Sequence, residues 1–95
     1  MVKFSYRKRS FLNPTSTGHT SCILAEVESS HNGEYPWGTN MLTFADCKRI
    51  IRLEFFLGRK RERRRSIKKI NLLIDVLTRF RDALIKESEL INKAE

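Results

Sequence analysis

Acidic residues are scarce in this 95-residue chain: 11 Asp and Glu stand against 19 Lys and Arg, for a formal net charge of +8. A surplus of that sign argues against a cationic ligand and for a polyanionic one, nucleic acid before an anionic membrane surface. Long apolar runs are lacking too, and none approaches the ~20 residues that a bilayer-crossing helix needs. The first dozen residues alternate apolar and basic side chains without an apolar h-region, so no secretory signal is expected and the compartment implied is cytoplasm or nucleoid. Only two cysteines occur, Cys22 and Cys47, which is too few for a disulfide framework and suits buried thiols.

The chemistry of catalysis is equally thin. There is no glycine-rich phosphate cradle, and His19 and His31 have no evident nucleophile partner. His19, Cys22, His31 and Cys47 make four potential zinc ligands, but their spacing matches no common zinc pattern and Cys22 falls on an expected strand. Glu26, Glu28 and Glu54 share an outward parity that would suit Mg²⁺ in a nuclease; without a catalytic lysine motif, balancing neighbouring arginines is the better role. The expectation is a non-enzyme with no metal, cofactor or small-molecule substrate.

What the chain does have is segregated charge. From Arg59 to Lys69 the sequence reads R-K-R-E-R-R-R-S-I-K-K, with Glu62 its one acid. Residues 1–12 and 48–69 together hold 15 of the 19 cations and, of the acids, only Glu54 and Glu62. A solvated, highly charged junction would produce the run alone, but not the segregation of the rest.

Hydropathy divides the chain in two. Through residue 58 apolar residues alternate with polar ones, the period of half-buried strands. Val2, Phe4 and Tyr6 alternate with Lys3, Ser5 and Arg7 in the first segment. Cys22–Glu28 forms the second, Met41–Ala45 the third and Arg49–Leu57 the fourth. The stretches N-P-T-S-T-G-H-T (13–20) and S-S-H-N-G-E-Y-P-W-G (29–38) between them are turns and loops by composition. From Ser66 onward the period lengthens: Ile70, Leu77, Leu84 and Ile91 recur every seven residues, with Leu73 and Phe80 between them. No Gly or Pro interrupts residues 59–95, which predicts one helix over 66–93 with Ser66 as its N-cap. A start inside the basic run would set cations against the positive helix end, which is unfavourable unless an anion binds there.

The expected fold is α+β: a four-stranded antiparallel meander over 1–58, a basic junction at 59–65 and one long C-terminal helix packed on the apolar sheet face, all in a single domain. Such a helix outruns its strands, so Leu77, Leu84 and Ile91 are expected to seat a second copy in a homodimer or higher homo-oligomer. Expected nucleic-acid contacts are Lys3, Arg7, Arg9 and Arg52 on the strands and Trp37 in the long loop. Along the run they are Arg59, Lys60, Arg61, Arg63, Arg64, Arg65, Lys68 and Lys69. Phe4, Phe44, Phe55 and Phe80 are expected in the core.

The β-β-β-β-α order, with basic strands and a dimerising helix, resembles single-stranded-DNA-binding regulators of the Whirly and positive-cofactor-four types; Pur-alpha repeats share a similar order. The resemblance implies a homodimer whose sheets bind unpaired nucleic acid, in a transcription or DNA-metabolism regulator. The alternative is a non-enzymatic assembly module that pairs its helix with an unrelated partner and sets the basic run on an acidic surface.

Overall fold

The structure is a computed structural model that describes residues 4–13, 21–28, 40–46 and 48–95. Four strands precede one helix: β1 (Phe4–Phe11), β2 (Cys22–Glu28), β3 (Asn40–Ala45), β4 (Ile50–Glu54) and α1 (Lys60–Ala94). Each strand pairs antiparallel with the next, so the sheet order is β1-β2-β3-β4 and the α+β meander is as expected.

Register sorts the side chains. Ala25 stands opposite Lys8 and Leu42, Ile23 opposite Ser10 and Phe44, and Leu42 opposite Leu53. Directly opposed residues share a face. One face therefore carries Ile23, Ala25, Val27, Leu42, Phe44, Ile51 and Leu53, with Tyr6 and Lys8 at its β1 edge. The reverse face carries Arg7, Arg9 and Phe11 on β1, Leu24 and Glu26 on β2, Thr43 on β3, and Arg52 and Glu54 on β4.

Two local devices set this geometry. Asp46 closes the β3–β4 hairpin: its Oδ1 accepts from the backbone N–H groups of Lys48 (2.8 Å) and Arg49 (2.6 Å). Those two bonds, Lys48 first, hold its carboxyl below the ordinary value. In β1 the register slips between Phe4 and Tyr6, so Phe4 pairs with Glu28 while Tyr6 pairs with Val27. One extra residue reverses parity. Phe4 accordingly lies on the Arg7 face, not with Tyr6 as strict alternation predicts, and the Arg7 guanidinium carbon sits 5.2 Å from its ring centre.

The helix departs from expectation at its start. It begins at Lys60, within the basic run, with Arg59 as an extended N-cap at φ −114°, ψ 158°. The expected junction 59–65 is therefore mostly helix, because Arg and Lys are good helix formers and Glu62 complements the first turn. Ser66 is not an N-cap; it is buried, and its hydroxyl donates to the Phe56 carbonyl at 2.6 Å. Lys69 Nζ donates to the Glu54 carbonyl (2.8 Å) with its ammonium 4.9 Å from the Phe55 ring centre, and Arg63 donates to the Leu57 carbonyl (3.0 Å). These bonds tie the first turns of α1 to the end of β4.

Beyond them the helix stands clear. At 35 residues it is ~52 Å long, against ~27 Å for the longest strand, the eight residues of β1. From Ile74 on every residue is exposed, and among the described residues no apolar side chain is fully buried. The helix is held to the sheet at its beginning only, through the carbonyls of Glu54, Phe56 and Leu57 at and just past the end of β4. Phe80, expected in the core, is 61% exposed, and Phe4 is exposed as well; Phe44 and Phe55 are half-buried. The radius of gyration, 17.4 Å, exceeds the ~12 Å of a compact domain of this length. No described helix is long and apolar enough to cross a membrane.

Candidate nucleic-acid interface

The face of the sheet that carries Arg7, Arg9 and Arg52 combines cations with rings. Arg9, Leu24, Thr43 and Arg52 occupy one cross-strand row. At ~4.8 Å per strand the two arginines stand ~14 Å apart across the sheet. Phe4, Phe11 and Phe56 are exposed, and Phe11 shares the parity of Arg7 and Arg9. Arg7 pairs with Glu26 at 3.3 Å, the charge balancing anticipated for that carboxylate, while its side chain stays half exposed. Its exposed guanidinium remains open to a second anion.

The basic run splits into two groups once it is helical. Arg63 and Lys69 direct their head groups to backbone carbonyls of 54–58, and Arg59 faces Glu62 at 4.0 Å. Lys60, Arg61, Arg64 and Lys68 are exposed and fall on one stripe, since residues three and four apart lie on the same side of a helix. That stripe is opposite Ser66, which faces the sheet. Arg65 belongs to neither group: with Phe56, Glu62 and Lys69 it lines a hollow of about 190 Å³ where β4 meets the helix. Through that hollow the arginine-bearing face of the sheet is continuous with the flank of the helix.

Of the residues singled out in the sequence, Arg7, Arg9 and Arg52 are brought to one face, Arg59 to the N-cap of α1, and Lys60, Arg61, Arg63, Arg64, Arg65, Lys68 and Lys69 to its first three turns. Lys3 and Trp37 lie outside the described residues, as do His19, His31 and Cys47. Cys22 is a free, half-buried thiol. Leu77, Leu84 and Ile91 are all about half exposed along one stripe of α1 with Ile70 and Leu73. Sequence reasoning missed the ring surface of Phe4 and Phe11. Parity with Arg7 and Arg9 was a usable signal for Phe11; nothing in the sequence announced the bulge that turns Phe4.

Comparison with protein-family models, with curated proteins and with solved structures yields no match to this chain.

Proposed function

We propose that the chain is a non-enzymatic, homodimeric protein that binds single-stranded DNA or RNA, as a small regulator of transcription or DNA metabolism in the cytoplasm or nucleoid. One observation carries the reading: Arg7, Arg9 and Arg52 share a solvent-facing sheet surface on which Phe4 and Phe11 also stand open. Guanidinium groups neutralise phosphates, and open rings stack on unpaired bases at ~1–3 kcal/mol each. The β4-α order it shares with Whirly-type regulators supports the same assignment at the level of architecture.

The start of α1 adds to this. Lys60, Arg61, Arg64 and Lys68 crowd the positive end of a helix dipole, and phosphate oxygens relieve that crowding. The test is a titration of an unstructured single strand and a duplex of equal length at several salt concentrations. Tighter binding of the single strand is expected. Equal or stronger duplex binding would remove the stacking role of the rings, and no binding of either would leave the basic stripe to an acidic protein partner.

A further inference from the structure

The helix is apolar over far more of its girth than a two-helix seam requires. At ~100° per residue, every residue from Ile70 to Ile85 in an arc of ~220° is apolar except Arg81. Asn71, Asp75, Thr78, Arg79 and Asp82 fill the remainder. A surface helix that covers one core needs an arc of roughly 100°. An arc twice as wide calls for two apolar neighbours, and beyond Leu73 the structure supplies neither.

The sheet has the complementary gap. Its apolar face and the first turns of α1 diverge, leaving a cleft of about 400 Å³ lined by Tyr6, Val27, Leu42, Leu57, Ile67 and Ile70. Ile51 on the same face is 58% exposed.

We propose that a second copy of this chain fills both gaps by antiparallel pairing: α1 packs along the partner's α1, and its distal half lies across the apolar face of the partner's sheet. This rests on the homodimer of the proposed function and adds its direction and its packing on the sheet. Three features select a second copy run in reverse.

Length is the first. From Leu73 to Ala94 the helix extends ~33 Å, enough to cross a sheet whose longest strand spans ~27 Å. Charge is the second. Lys60–Lys69 holds seven cations and one acid, Glu62, whereas Asp82, Glu87, Glu89 and Glu95 outnumber Lys86 and Lys93 at the far end. A two-fold axis near Arg79 brings Glu89 and Glu95 of one copy to the level of Lys69 and Arg63 of the other; parallel pairing would stack two basic runs. The outward stripe of Lys60, Arg64 and Lys68 stays open to nucleic acid in this arrangement. Area is the third. Ten large apolar side chains of α1, from Ile67 to Ile91, are about half exposed or more. At ~80–100 Å² each they supply roughly the ~800 Å² per partner of a stable interface.

Disulfide trapping tests the direction, in a background with Cys22→Ser and Cys47→Ser. Variants Ile67→Cys and Ile91→Cys are oxidised separately and as a mixture, without oligonucleotide, and helicity is checked by circular dichroism. Efficient cross-linking is expected in the mixture only. Cross-linking of Ile91→Cys with itself at dimer mass would overturn the antiparallel arrangement and leave the homodimer standing. Light scattering on the unmodified protein should give at least twice the chain mass of 11.2 kDa. A single-chain mass at micromolar concentration would overturn both, whatever the oligonucleotide titration returns.

Discussion

Ser66 shows how a polar residue becomes structural when its partner is fixed. Its hydroxyl lies buried on the Phe56 carbonyl, so removing it strands that carbonyl at the junction of sheet and helix. Ser66→Ala should cost about 1–2 kcal/mol in urea unfolding, on the scale of a lost buried hydrogen bond. Asp46 acts through charge instead. Its folded-state pKa lies below the ordinary 3.8, so the hairpin's gain from its two backbone bonds is full above that value. It is lost as pH falls through the lowered pKa. Thermal melts of wild type and Asp46→Ala should therefore differ at pH 6 and converge toward pH 2; a constant gap would mean that the bonds do not depend on the carboxylate. Phe4 is the residue that alternation misplaces, because one inserted residue in β1 reverses its side.

At the scale of elements, the helix was legible in its period but not in its start. Heptad spacing marks the stripe of Ile70, Leu77, Leu84 and Ile91 without help from tertiary structure. The beginning was hidden, since Ser66 is as good an N-cap on paper as it is a donor to Phe56 in the fold. A helical basic run is best probed on its open side. Arg63 holds the β4 end in place, so its replacement confounds stability with binding. The cleaner set is Arg61, Arg64 and Lys68 changed together to Ala, all exposed on one stripe. Helicity should persist, and the slope of log K against log salt should fall by ~0.7 for each phosphate no longer neutralised. An unaltered slope would place the strand on the sheet alone. On the sheet, Arg9→Ala with Arg52→Ala should lower the slope likewise, whereas Phe11→Ala should weaken binding by ~1–3 kcal/mol with the slope unchanged.

At the scale of the whole molecule the governing fact is that, among the described residues, no apolar side chain is fully buried. In the proposed dimer folding and association are one equilibrium, and stability should rise with protein concentration. Leu84→Asp sets a charge into the proposed seam, where burying it among apolar side chains is costly. The variant should lower the mass by light scattering and lose helix signal at the same dilution, because the distal helix has no other support. A paired particle also presents two basic stripes and two ring-bearing sheet faces. Linked sites gain from effective concentration, so strands long enough to reach both should bind more tightly than one site does alone. In Leu84→Asp that dependence on length should flatten.

Sequence by itself determined the order of elements, the side of the sheet on which most residues lie, and the segregation of charge, because period and composition are local properties of the chain. β2 runs over Cys22–Glu28 as its alternation implies, and the register of β2 to β4 follows from which parity is apolar. Tertiary structure alone decided the rest. It set the bulge that turns Phe4 toward Arg7, and it divided the basic run into cations that tie down β4 and cations that face solvent. It also decided how little of the helix its own sheet covers. Those outcomes depend on where distant backbone carbonyls and apolar faces come to lie, and a local pattern of residues carries no record of that.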